Sequence, residues 1–104
     1  MDNLSLSEQS YELKVYDFKY LLDNFPGAVK VAELLYGVPI LTPSEVCLIL
    51  QYKHSQLTTV IRELTERNIV YKRTIDKQTL YALTPTGHEF VEYVRRWSRR
   101  LDYE

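Results

Sequence analysis

Ser55, Gln56, Thr59 and Arg62 recur at i, i+1, i+4 and i+7, a spacing that lays small and forked polar groups along one side of an α-helix. Groups of these types suit the edge of a nucleic-acid base. A Gln amide can pair bidentately with adenine and an Arg guanidinium with guanine, each good pair giving roughly 1–3 kcal/mol of discrimination. Lys53 and His54 begin the same segment, and Lys72, Arg73 and Lys77 follow further along the chain. Cationic groups of this kind neutralise phosphates, which gives affinity and salt dependence more than sequence choice. The same residues would equally serve as the solvated face of an ordinary helix and hairpin, so the decision falls to the elements that carry them.

The segment from about Lys53 to Arg67 reads as a helix that buries Leu57, Val60, Ile61 and Leu64 opposite the polar row. A shorter helix precedes it. Leu41-Thr42-Pro43-Ser44-Glu45 is a strong start, with Thr42 as cap, Pro43 at the first helical position and Glu45 three residues after the cap as in a capping box. That helix runs through Leu50 and must stop near Gln51 to Lys53. Asn68 then stands where a left-handed helix cap is expected. Ile69 to Thr74 and Thr79 to Leu83 read as paired strands around Ile75-Asp76-Lys77-Gln78, rich in β-branched and aromatic residues. Thr84 caps a last helix with Pro85 first, and its apolar stripe is Phe90, Val94, Trp97 and Leu101.

Upstream, Tyr11, Val15, Phe18 and Leu22 form a matching stripe on a helix from Ser7, its cap, to Asn24, closed by Asn24-Phe25-Pro26-Gly27. The alternation of Tyr11, Leu13 and Val15 also allows a short strand. A second helix is expected after Gly27, ending near Gly37-Val38-Pro39. The resulting order predicts a mainly α fold with a small β-hairpin (α+β), a winged helix-turn-helix in a single domain over 1–104. Its parts are N-terminal helices (1–40), helix-turn-helix (41–67), wing (68–84) and C-terminal helix (85–104). In that arrangement the Lys53–Arg67 helix can enter a DNA major groove while the hairpin straddles the adjacent backbone.

Composition agrees with a globular chain: 104 residues, 45% hydrophobic and 26% charged, with three Gly and four Pro. The formal charge is −1, but it is unevenly placed. Residues 1–50 carry seven acidic groups against Lys14, Lys19 and Lys30, or −4, while residues 51–104 carry ten basic against seven acidic, or +3. The cationic half is the one holding the hairpin and the polar helix. With no basic n-region and no apolar run near 18 residues, a soluble cytoplasmic protein that makes no membrane contact is expected.

Other chemistry finds little support. Cys47 lies in an apolar run and is expected to be a buried, inert thiol. His54 and His88 stand apart from each other and from any cysteine at ligand spacing, so no metal or other cofactor is expected. Nine tyrosines, most of them within predicted helices or strands, point to packing with hydroxyls at the rim. There is no Gly-rich phosphate loop, nucleophile elbow or carboxylate pair, and no enzymatic activity is expected.

The stretches Leu41 to Glu45, Ser55 to Val60, Leu64 to Val70, Lys72 to Lys77 and Leu83 to Gly87 together resemble the winged-helix regulators of the multiple-antibiotic-resistance (MarR) and phenolic-acid (PadR) type. The similarity covers about half the chain. Asn68 stands where that family has Gly, and the wing is short. The resemblance implies double-stranded DNA as partner, with Ser55, Gln56, Thr59 and Arg62 reading bases and Lys53, His54, Lys72, Arg73 and Lys77 holding phosphates. The stripes of the terminal helices (Tyr11, Val15, Phe18, Leu22; Phe90, Val94, Trp97, Leu101) are expected to form a twofold homodimer, the alternative being that they pack on each other within one chain. The expected function is a sequence-specific transcriptional regulator, a repressor, with its small-molecule effector unknown. Plasmid or viral partition or replication control is a variant of this reading, and a protein-interaction winged helix that never touches DNA is the alternative of another class. Arg95, Arg96, Arg99 and Arg100 form a basic strip that reads either as a solvated face or as a further phosphate contact.

Overall fold

The computed structural model describes the backbone of residues 5–102 and the side-chain surroundings of residues 14–97. Along the chain run α1 (Ser5–Asn24), α2 (Pro26–Gly37), α3 (Pro43–Leu50), α4 (His54–Glu66), β1 (Val70–Ile75), β2 (Gln78–Leu83) and α5 (Pro85–Asp102). No described helix is long and apolar enough to cross a membrane.

The caps are where local chemistry dictates the elements most directly. Thr42 Oγ1 accepts from the Glu45 amide at 3.2 Å and Glu45 Oε1 accepts from the Thr42 amide at 2.8 Å, so both halves of the capping box form. Gln51 and Asn68 take left-handed conformations, φ 60° and 59°, and end α3 and α4. The Asn68 and Ile69 amides then donate to the Thr65 and Leu64 carbonyls, satisfying groups the helix end would leave open. At the other end of the wing, Thr84 Oγ1 accepts from the Gly87 amide at 2.9 Å and donates to the Asn68 and Ile69 carbonyls. One hydroxyl thus caps α5 and ties it to the end of α4.

Predicted boundaries shift in the hairpin, where Ile75 and Gln78 belong to the strands and not to the loop, and at the starts of two helices. α1 begins at Ser5, which puts Ser7 inside its first turn; a single capping candidate locates a helix end only to within a residue or two. α2 begins at Pro26 and not after Gly27, because Pro at the first helical position forfeits no hydrogen bond, so that only Phe25 separates α1 from α2.

β1 and β2 pair antiparallel from Val70↔Leu83 to Ile75↔Gln78. Asp76 and Lys77, at φ 51° and 67°, make the two-residue turn, with the positive φ at both positions that suits the twist of a hairpin. Leu41 adds a single antiparallel bridge to Tyr81 through two backbone hydrogen bonds of 3.2 and 2.8 Å, anchoring the approach to α3 on the wing.

α2 is the central helix, packed against α1, α4, α5 and β2 through buried Ala28, Val31, Ala32 and Leu35. Against it the terminal helices meet one another. The Phe18 ring lies 5.3 Å from Phe90 and 5.6 Å from Tyr93, and Phe18, Phe90 and Val94 are all buried within the one chain. This corrects the expectation that those three residues face a second subunit: α1, α2 and α5 form a three-helix layer that covers them. Val15 and Leu22 are half-buried and Trp97 is 37% exposed, so the outer edge of the stripes remains at the surface. Tyr11 and Leu101 lie outside the described side chains.

Candidate nucleic-acid interface

α4 is seated by Leu57, Ile61 and Leu64, which are buried, with Val60 half-buried beside them. Rotation of the helix is thereby set, and Ser55, Gln56, Thr59 and Arg62 are all exposed. The structure therefore brings the four predicted base-reading residues onto one accessible side.

Their hydrogen-bonding capacity differs. Thr59 Oγ1 donates to the Ser55 carbonyl at 3.2 Å, which leaves the hydroxyl oxygen as acceptor and the methyl for apolar contact. Gln56 Oε1 accepts from the Lys53 amide at 2.9 Å, so it caps the helix and keeps only its amide N–H groups for a base. Bidentate pairing of Gln56 with adenine requires that cap bond to open. Arg62 is exposed and engages no described side chain in an ion pair, so its guanidinium fork is entire.

Lys53 and His54 are exposed at the start of α4, and Lys72, Arg73 and Lys77 are exposed on the wing. The wing cations do not gather on one face. Lys72 pairs across the ribbon with Tyr81 and Arg73 with Leu80, and successive residues of a strand point to opposite faces. Lys77 occupies the tip beside Asp76, so the three cations are distributed over both faces and the end of the ribbon.

Two residues missing from the sequence reading hold this surface in place. Tyr52 Oη, in the turn between α3 and α4, donates to the Gly27 carbonyl at 3.2 Å, fastening the helix-turn-helix to α2. Burial pushes the Tyr52 phenol above its ordinary value, and it remains a donor through the neutral range. Arg67, the residue after α4, donates through Nη1 to Glu63 Oε1 at 2.6 Å and to the Glu63 carbonyl at 3.1 Å. The i, i+4 spacing of Glu63 and Arg67 is a local signal for the second, whereas Tyr52 finds its partner 25 residues away and Arg67 meets Asp17 of α1 only in the folded chain.

The remaining expectations resolve individually. Cys47 is half-buried, packed against the core and not sealed within it. His88 meets the Tyr36 ring in a tilted contact at 5.3 Å, and the Arg95 guanidinium lies over the same ring, 4.3 Å from its centroid, so these two engage α2. Arg96 is exposed, while the side chains of Arg99 and Arg100 fall outside the described residues.

No protein-family model matches the chain, and no curated relative matches it. Solved structures do. A cysteine-to-serine mutant of MarR from E. coli, in complex with operator DNA, is 18% identical with a TM-score of 0.66 over 88% of this chain and 69% of that one. A mutant of MepR from S. aureus bound to an oligodeoxyribonucleotide is 19% identical, TM-score 0.71, over 94% and 76%. BpsR of Bordetella bronchiseptica, studied for regulation of its DNA binding by 6-hydroxynicotinic acid, is 18% identical, TM-score 0.71, over 94% and 75%. At these identities the likeness concerns architecture, and it agrees with the element order described above: the chain has the winged-helix fold of MarR-type regulators.

Proposed function

We propose that the chain is a sequence-specific double-stranded DNA-binding protein that regulates transcription as a repressor, acting as a homodimer in the cytoplasm. The observation that carries the reading is the exposed row Ser55, Gln56, Thr59 and Arg62 on a helix rigidly seated on the core, with the uncommitted guanidinium of Arg62 within it. Solved structures of similar fold that hold DNA support it. α4 lies in the major groove, and Lys72, Arg73 and Lys77 clamp phosphates. Val15, Leu22 and Trp97 border an apolar hollow between α1 and α5, which a second copy would cover. Two α4 helices would then meet half-sites about 34 Å apart, one turn of DNA.

Selection of bound sequences from random duplexes tests the reading. An enriched motif is expected, with Arg62→Ala relaxing preference at particular bases and Arg73→Ala weakening all sequences alike. A second reading has its own observation. Leu48 and Ile49 on α3 are 79% and 51% exposed, an apolar pair that would suit a protein partner. Failure to enrich any DNA motif, together with indifference of weak DNA binding to Arg62 and Arg73, would favour that protein-interaction role. Occupancy spreading over repeated sites would instead indicate partition or replication control.

A further inference from the structure

The lysines of the acidic half are not equivalent. Lys14 Nζ lies 3.4 Å from Glu89 Oε1, and Lys19 Nζ lies 3.0 Å from Asp23 Oδ2. Lys30 is exposed and has no ion pair with any described residue. It stands on α2 and lines a groove of about 600 Å³ whose other wall is α4, with Ser55, Gln56 and Thr59 among the lining residues. Lys30 is the only charged residue of that lining, and no carboxylate shares it.

The groove is a built feature and not a gap between loose elements. Tyr52 crosses its floor to the Gly27 carbonyl. A Cβ on Gly27 would stand 3.2 Å from Tyr52 Oη and 3.3 Å from Val60 Cγ2, so the start of α2 packs closely on Tyr52 and on α4. The separation of Lys30 from the base-reading row is therefore held by packing.

We propose that this groove seats a sugar-phosphate strand bordering the major groove that α4 enters, with Lys30 neutralising one of its phosphates. The proposal rests on the DNA-binding reading of α4. A helix within a major groove about 12 Å wide has a phosphate strand on each side of it. Beside α4, the α2 groove offers what such a strand needs: continuity with the base-reading row, one cation without an ion pair among the described residues, and no carboxylate in its lining. Lys30 stands on the wall facing the polar row with no ion pair to any described residue, so its ammonium is available to this occupant.

Titration of a fluorescent mixed-sequence duplex with the full chain at several salt concentrations tests it, since phosphate contact is independent of base sequence. Lys30→Gln is expected to reduce the salt slope by about 0.9, the amount for one phosphate. Lys30→Arg should restore the slope, and Lys14→Gln, which removes a lysine already paired with Glu89, should leave it unchanged. Thermal melting of Lys30→Gln should match the parent, because no internal partner is lost. A duplex still bound by Lys30→Gln with an unaltered slope overturns the proposal while leaving DNA binding by α4 standing. If the parent chain binds no duplex at any salt concentration, the reading of α4 falls and the proposal with it.

Discussion

Arg67 Nε lies 3.8 Å from Asp17 Oδ1, which joins the residue ending α4 to the middle of α1. The same guanidinium bonds Glu63 and lies over the Tyr20 ring, 5.2 Å from its centroid. Its Nε is buried without a hydrogen-bond partner among the described residues, so the planar group is held by its other contacts and by the field of two carboxylates. Arg67→Met would keep the apolar stem and leave Glu63 and Asp17 unanswered. A loss of about 1–3 kcal/mol is expected, seen as a lower urea midpoint at unchanged m. Lys in place of Arg should recover only part, lacking the planar fork. The salt slope for DNA should stay at the parent value, because Arg67 is committed inside the fold.

What the sequence made legible was local. Thr42 with Glu45, Asn68, the Asp76-Lys77 turn and Thr84 each act within a few residues, and each appears in the structure where its chemistry places it. The stripe on α1 was equally plain, yet a stripe says that a face is buried and not against what. Phe18 meets Phe90 across 72 positions, and only the folded chain reveals that the partner is internal. The candidate surface divides the same way. Exposure of Ser55, Gln56, Thr59 and Arg62 followed from helical period, and the bond of Gln56 to the Lys53 amide is as local as that of Glu45 to Thr42, whereas the lack of an ion pair at Lys30 among the described residues depends on three-dimensional pairing.

Gly87 is needed for close approach and not for backbone freedom. A Cβ there would stand 2.2 Å from the Ile69 carbonyl oxygen and 2.8 Å from Leu83 Cδ2, and the carbonyl belongs to backbone that Thr84 also binds. Gly87→Ala must push the first turn of α5 away from the end of α4. Helix propensity favours Ala by about 1 kcal/mol, but overpacking of this kind costs about 1–3 kcal/mol and more where backbone must move. The net expectation is destabilisation, measured by thermal unfolding. A melting temperature equal to or above that of the parent would show that the junction yields without cost.

Alkaline stability should depend on two tyrosines. Burial raises the phenol of Tyr52, and burial followed by the nearby Cys47 raises that of Tyr81. Each therefore keeps its proton in the folded chain at a pH where the unfolded chain, with an ordinary value near 10, has lost it. Below that range the shifts contribute no pH dependence; as pH rises through it the unfolded state binds fewer protons, and stability falls. Tyr52→Phe should flatten part of this fall in unfolding titrations between neutral and strongly alkaline pH. At neutral pH it should cost about 1 kcal/mol for the lost bond to the Gly27 carbonyl. An alkaline profile identical to that of the parent would mean that the Tyr52 shift is absent.

Lys77 occupies the tip of the wing at φ 67°, a left-handed position that a lysine takes at a cost of about 1–2 kcal/mol and that hairpin turns of this type reserve for glycine. Stability alone would favour Gly at this site, so charge at the tip is the natural reason for a lysine. Lys77→Gly separates the two effects. Relief of the backbone, partly offset by the greater freedom of glycine when unfolded, should raise stability by about 0.5–1 kcal/mol. Loss of one phosphate contact should at the same time reduce the DNA salt slope by about 0.9. Lys77→Gln should reduce the slope equally without the gain in stability, since it keeps a side chain in the left-handed conformation. A more stable Lys77→Gly protein with an unchanged slope would remove the wing tip from the phosphate clamp and leave Lys72 and Arg73 to hold it.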